Sequence, residues 1–198
     1  MLRRVLEAVD QFGLDQFPVE VDDICTIMVN LGIQDRIQCD AQSFKDEALL
    51  GMYYQYRERH VPYGDPQQTS QVIYSADVGI AHQRLICVKE LVHICDSAQQ
   101  QTMTPEELEK LLNVLLAGKE APDFGLSNYQ ATKDKIALYE AVALLFPKTP
   151  RAHEKRALET SEKTITEIAR DACLPEDVVS FVMTDEWELL RQELYENC

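Results

Sequence analysis

The chain has 198 residues, of which 45% are hydrophobic and 27% charged, and its 19 basic and 34 acidic side chains give a net charge of −15. This composition is typical of a soluble globular protein, and no run approaches the ~20 apolar residues that a membrane-spanning helix needs. An acidic surface repels phosphate backbones and anionic lipid, so we expect no nucleic acid and no membrane as partner. The charge is explained first by solubility alone, and a basic protein is the partner that it would favour.

The first residues include Arg3 and Arg4, but no apolar stretch follows them, so no signal peptide is expected. None of the six cysteines falls in a CxxC pair, and a structural zinc knuckle therefore has no support. These features predict a cytoplasmic protein with reduced thiols.

The first half of the chain predicts two helices followed by a small sheet. Apolar residues at helical spacing begin at Leu2 and stop near Gly13, and a second helical pattern at 21–31 is closed by Gly32. The aromatic run 51–56 and the β-type run 71–75 then predict an antiparallel sheet of two or three strands.

The second half predicts mainly helices. A helix is expected at 78–97, and another begins at Thr104, where Thr104, Pro105 and Glu107 form a capping box with proline in the first turn. After a loop at 121–130, the remaining helices are expected at 133–146, in two short pieces within 164–183, and at 185–196. The predicted fold class is α+β, mostly helical, with the small antiparallel sheet beside the 78–97 helix. We predict one domain over 1–198, with a helical part at 1–47, a core at 48–147 and a second helical part at 148–198.

The segment that carries chemistry is Lys89-Glu90-x-x-His93. A zinc peptidase helix places two histidines at i and i+4, facing one ion, and the glutamate after the first histidine acts as general base. Here Glu90 and His93 are present, but Lys89 occupies the first ligand position. An ammonium group has no lone pair and repels a divalent cation, so Lys89 would occupy the cation's place and pair with carboxylates.

Several segments together resemble the ImmA/IrrE family of zinc metallopeptidases. Residues 84–93 are similar to the family helix R-F-T-x-A-H-E-x-G-H, with Arg84, Glu90 and His93 at matching offsets. The other similar segments, in family order, are 18–24 (the opening P-V-D-V entry), 50–53 and 72–75 (two strands), 137–147 (A-x-x-F-A-x-x-L-L-M-P) and 164–183. The resemblance implies a zincin-like active-site helix packed beside the sheet.

The departures from that family imply a dismantled metal site. By offset, the family's third zinc ligand falls on Ile136, which cannot bind metal, and Glu140 four residues later is the one alternative ligand nearby. Glu90 and His93 then remain as a remnant general base and a remnant ligand, and no cofactor is expected, with zinc as the alternative. His82, Cys87, Cys95 and Asp96 are poorly placed as replacement ligands.

Four functions are compatible with these patterns, and the weakest of them is a mimic of DNA that uses its acidic surface to occupy a basic protein. The first is a catalytically inactive, metallopeptidase-like regulator from a bacterium, phage or mobile element, which binds a protein partner such as a transcriptional regulator. The second is an active zinc endopeptidase with an unusual ligand set that cleaves a regulatory protein. The third is a helix-turn-helix-like regulator that uses 165–183, although a recognition helix that begins Pro175-Glu176-Asp177 would present carboxylates to DNA.

Overall fold

Helices make up most of the structure, and three strands form one sheet. The structure is a computed structural model that describes residues 1–11, 17–46, 49–59, 64–96 and 126–197. In chain order the elements are α1 Leu2–Gln11, α2 Val21–Asn30, β1 Arg36–Gln42, β2 Gly51–Glu58, β3 Gln67–Ser75, α3 Ile80–Val92 with a 3₁₀ turn His93–Cys95, α4 Leu126–Leu145, α5 Lys148–Glu159, α6 Ile165–Ala172, α7 Glu176–Val182 and α8 Asp185–Asn197. The predicted α+β, mostly helical class is confirmed.

The sheet is mixed, with strand order β1-β3-β2. β2 pairs antiparallel with β3, as predicted, with Gly51 opposite Tyr74. β1 was not predicted, and it runs parallel to β3 with Cys39 opposite Val72. The segment 1–47, predicted to be helical, therefore contributes an edge strand to the sheet.

Helix α3 packs against β3 and β2 on one side and against α4 on another. Contact between α3 and β2 is close because β2 begins with a glycine: a Cβ atom at Gly51 would lie 2.6 Å from Cγ2 of Ile86 and 2.9 Å from Cγ of Glu90. Any side chain at this position would push the strand away from the helix, so Gly51 sets how closely α3 approaches the sheet.

The C-terminal helices complete the core around two fully buried aromatic residues, Phe146 and Trp187. Helix α5 is tied to the segment after α7 by Arg151, whose Nε donates to the Val182 carbonyl over 2.7 Å and whose Nη2 donates to the Thr184 carbonyl over 2.9 Å. These bonds supply hydrogen-bond donors to carbonyl groups at and just after the end of α7, where carbonyls lack partners within the helix.

Most predicted elements are present, with limited differences. Helix α4 begins at Leu126, so the loop predicted at 121–130 is wrong over its last five residues. Helix α5 lies in the part 148–198 that was predicted to be helical, although no individual helix was predicted over its residues. The capped helix predicted from Thr104 lies outside the described residues.

None of the helices within the described ranges has the length and apolar character that crossing a membrane requires.

Candidate functional site

Helix α3 and the turn after it bring Lys89, Glu90 and His93 together, as the pentad predicts. Lys89 and Glu90 lie in the last turn of α3, and His93 follows with helical backbone angles (φ −63°, ψ −14°), so the i and i+4 side chains still share a face. The aromatic ring of Tyr53 on β2 stacks on the imidazole of His93, with ring centroids 6.4 Å apart. The imidazole of His93 therefore lies between the end of α3 and the strand β2.

The ammonium group of Lys89 sits between two carboxylates. Its Nζ lies 2.8 Å from Oε1 of Glu90 and 2.5 Å from Oδ1 of Asp134 on α4. The Lys89 side chain is 19% exposed, that of Glu90 6% and that of Asp134 27%, so solvent screens these contacts only in part. Burial alone would lower the pKa of Lys89, but the two carboxylates outweigh burial and raise it. Lys89 is therefore a fixed positive charge at neutral pH.

The imidazole of His93 is also held in its charged form. Its Nδ1 lies 2.7 Å from Oδ2 of Asp96, and its Nε2 lies 4.0 Å from Oδ1 of Asp134, which is beyond hydrogen-bond reach but close enough for attraction between charges. Burial alone would lower the pKa of His93, but the carboxylates around it raise the pKa to about 9. A protonated imidazole has no free lone pair for a metal ion.

Asp134 is the shared acceptor of this network. Burial would raise the pKa of its carboxyl group, but the neighbouring His93 and Lys89 lower it. Lys133 adds a third cation, with Nζ 4.0 Å from Oδ1 of Asp96. The cluster thus places three cations against three carboxylates: Lys89, Lys133 and His93 face Glu90, Asp96 and Asp134. We call these six residues the charge network.

The residues of the charge network do not fit a zinc ion. An ammonium nitrogen lies where an imidazole would have to bind, and the carboxylate of Glu90, which would act as general base, accepts from that ammonium instead. Within the described ranges, no group of three or more histidine, cysteine, aspartate or glutamate side chains is arranged to hold a metal ion.

Two residues assigned to the remnant site by resemblance have other surroundings. Arg84 lies five residues before Lys89, and its guanidinium group donates to the Val19 carbonyl over 2.5 Å and to Glu20 over 3.2 Å. Arg84 therefore anchors α3 to the segment that precedes α2. Ile136 is partly buried and packs against the hydrophobic core.

Glu140 is buried on α4, but it does not share a helical face with Asp134. Six residues separate the two, which corresponds to about 9 Å along the helix and to a rotation of about 240° around it. The charge of Glu140 acts on the thiol of Cys95 and raises its pKa, with burial as the larger cause. The described contacts of the charge network reach α4 through Asp134 and Lys133 instead.

Sequence reasoning missed Asp134, although a signal for it was present. Asp134 stands three residues before Ala137, and the buried residues Ala137, Ala141 and Leu144 continue the same stripe at spacings of four and three. A carboxylate in line with the buried stripe of an amphipathic helix points toward the packed neighbour, here α3. The offset taken from the family motif selected Ile136, which lies on a different side of α4.

The helices α6 and α7 have the order of a helix-turn-helix unit. Thr164 caps α6 with a complete capping box, and Cys173 ends that helix in the left-handed conformation (φ 51°). Glu176 and Asp177, at the start of α7, are exposed, and Val179 and Val182 are buried. The end of α7 that would enter a DNA groove is therefore acidic.

Comparisons of this chain with protein-family models, with curated proteins and with solved structures found no match.

Proposed function

We propose that this protein is a catalytically inactive relative of the ImmA/IrrE-type zinc peptidases and that it acts in the cytoplasm by binding a protein partner. The observation that carries this proposal is the ammonium group of Lys89, held 2.8 Å from Glu90 and 2.5 Å from Asp134. The lysine supplies the positive charge that a metal ion would otherwise bring to these carboxylates. The pocket can therefore fold and remain neutral without a metal ion. Hydrolysis by the family mechanism needs a bound metal ion and a free general base, but Lys89 occupies the position of the ion and pairs with Glu90.

Zinc content separates this proposal from that of an active peptidase. After dialysis against trace zinc, we expect the wild-type protein to retain less than about a tenth of an equivalent, because its ligands are engaged in ion pairs. Lys89→His restores imidazoles at i and i+4 with Asp134 as a third ligand, so this variant should bind close to one equivalent. Lys89→Gln is the matched control, since it removes the charge without adding a ligand and should remain free of zinc.

Two results would count against this part of the proposal. Nearly one equivalent of zinc in the wild-type protein, lost in His93→Ala, would establish an active-type metal site with an unusual ligand set. If Lys89→His folds and binds no zinc, the charge network does not descend from a zinc site.

The surface that best supports partner binding is the outer edge of β2. Within the described part of the chain β2 is an edge strand, since it pairs with β3 on one side. Tyr54 on this strand is 43% exposed, and its ring stacks on that of Tyr56 with centroids 5.7 Å apart. An extended peptide can add to such an edge through backbone hydrogen bonds, and exposed aromatic rings offer it apolar contact.

The partner in this proposal is a basic protein that offers an extended segment. The net charge of −15 favours a basic partner, because opposite charges speed encounter and disfavour wrong partners. The resemblance adds a partner class, since ImmA/IrrE-type proteins act on helix-turn-helix repressors, and a transcriptional regulator is therefore the first candidate.

The partner test uses an array of extended basic peptides, including segments of helix-turn-helix regulators. We expect bound peptides to be recovered intact by mass spectrometry and their affinity to fall at least about tenfold in Tyr54→Lys. Leu189→Lys is the matched control, because Leu189 is also exposed, at 67%, but lies on α8 away from the sheet. Cleaved peptides would support the peptidase alternative, and equal binding by both variants would exclude the β2 edge.

A further inference from the structure

Three cysteine thiols from three different elements meet beside α3, one helical turn before Glu90. Cys25 lies on α2, Cys39 on β1 and Cys87 on α3, and all three are free. The thiol of Cys39 is central, since side-chain hydrogen bonds link it to both Cys25 and Cys87. We call these residues the thiol cluster.

A cleft of about 160 Å³ gives a small molecule access to this cluster. Cys39 and Cys87 line the cleft, together with Tyr74 and the side chain of Arg84. Arg84 is nine-tenths buried, and among the described residues its Nε has no hydrogen-bond partner, although both terminal nitrogens are engaged. Because this Nε is enclosed, Arg84 acts on the cleft through its positive charge, which attracts an oxygen that gains negative charge.

The three thiols are not equivalent. The Cys25 thiol, followed by that of Cys87, donates toward the sulfur of Cys39 and lowers the pKa of Cys39, while the pKa values of Cys25 and Cys87 are raised. Of the two thiols that line the cleft, that of Cys39 is partly exposed and that of Cys87 is buried. Because the thiolate is the nucleophilic form of cysteine and Cys39 is the accessible thiol, we expect Cys39 to react first.

We propose that the thiol cluster is a peroxide-reactive site in which Cys39 is oxidised to a sulfenic acid and then forms a disulfide with Cys25. The Cys39 thiolate attacks one oxygen of hydrogen peroxide, so that an S–O bond forms, the O–O bond breaks and the leaving hydroxide takes up a proton to become water. Cys25 then attacks the sulfenic sulfur, so that an S–S bond forms and the S–O bond breaks. The departing hydroxide takes up the thiol proton of Cys25 and leaves as a second water. The two thiols lose two electrons, and peroxide gains them.

Cys25 is the resolving thiol because it is the less buried of the two neighbours. Cys25 is half-buried, and its helix α2 is joined to β1 by a short turn that contains Gly32 in a left-handed conformation (φ 107°). Cys87 is buried in α3, between the sheet and α4, so its movement would disturb the core. The disulfide would connect α2 to the edge strand β1.

Peptide mapping of the full chain tests this site directly. Reduced protein is treated with hydrogen peroxide, alkylated, and digested with trypsin under non-reducing conditions. Arg36 separates Cys25 from Cys39, and Arg84 and Lys89 bracket Cys87, so each thiol falls on its own peptide. We expect a Cys25–Cys39 cross-link at least about tenfold more abundant than any other, which a dithiol reductant reverses.

Variants identify which thiol reacts first. In Cys25→Ser the disulfide cannot form, and we expect a dimedone adduct, which reports sulfenic acid, on Cys39. Cys173→Ser is the control and should react like the wild-type protein. Three results would each overturn the proposal. The first is a dominant Cys39–Cys87 cross-link, and the second is an unchanged number of free thiols after peroxide. The third is a dimedone adduct on Cys25 in Cys39→Ser, at the yield found for Cys39 in Cys25→Ser. The wild-type mapping needs no variant, so its result stands even if a substitution impairs folding.

Discussion

Replacement of Lys89 by methionine tests whether its charge neutralises the pocket. Methionine keeps an unbranched side chain of similar length but removes the ammonium group, which leaves Glu90 and Asp134 without their shared partner. Removing one member of a buried ion pair costs about 3–5 kcal/mol. Because Asp134 is 27% exposed and His93 lies 4.0 Å from it, we expect the lower end, about 3 kcal/mol.

A double-mutant cycle shows whether the loss is electrostatic. Glu90 is the more buried carboxylate, with 6% of its side chain exposed, so Glu90→Gln in the Lys89→Met background should restore at least about 1.5 kcal/mol. Urea unfolding at neutral pH with reductant measures these free energies, reported by fluorescence of the single, fully buried Trp187. Lys135→Met is the control, because Lys135 is exposed on the same helix as Asp134 and should change stability by less than about 0.5 kcal/mol.

Either of two results would refute the electrostatic role of Lys89 in the charge network. If Lys89→Met costs less than about 1 kcal/mol, the carboxylates do not depend on the ammonium group. If the double variant is as unstable as the sum of the two single variants, the loss comes from packing and not from an unpaired charge.

Three further predictions concern His93, Gly51 and a helix cap. The folded-state pKa of His93 exceeds its ordinary 6.5, so its charged ring contributes stability that is complete below about pH 6.5 and lost as pH rises through about 9. An NMR titration should give a midpoint near 9, lowered in Asp96→Asn. Gly51→Ala should cost about 1–3 kcal/mol in urea unfolding, because the methyl group would overlap α3, whereas Gly79→Ala meets no atom within 4 Å. Thr164→Ala removes the side-chain cap of α6 and should cost about 1 kcal/mol in the same assay.

Each of these predictions has a result that contradicts it. A His93 midpoint at or below 6.5 would mean that the imidazole is neutral at pH 7 and free to accept a metal ion. Equal stability of the Gly51 and Gly79 variants would mean that β2 and α3 are not held in close contact. Unchanged stability in Thr164→Ala would mean that the capping box is replaced by water.

Sequence patterns identified the features that depend on neighbouring residues. The helices α1, α2 and α8 follow apolar spacing, and α6 and α7 are the two short helices predicted within 164–183. Lys89, Glu90 and His93 converge because positions i and i+4 of a helix share a face wherever that helix is placed. For the same reason, the spacing alone predicts that a lysine in the first ligand position faces His93.

Signals in the sequence are weaker for an edge strand and for helix ends. β1 alternates Ile37, Cys39 and Ala41 with polar residues, but the run is short and mostly polar, and its parallel partner β3 lies about thirty residues farther along the chain. The first residues of α4 were predicted as loop, since helix boundaries depend on context that local propensity does not contain.

By itself, then, the sequence determined the fold class and one half of the charge network. Only the tertiary structure decided that α4 meets Lys89 with Asp134 and not with Ile136, because the packing of α4 on α3 sets which face of α4 lies against Lys89. The thiol cluster has the same origin, since Cys25, Cys39 and Cys87 come from three elements with no common spacing. Contacts between distant segments depend on how whole elements pack, and that information is spread over the entire core.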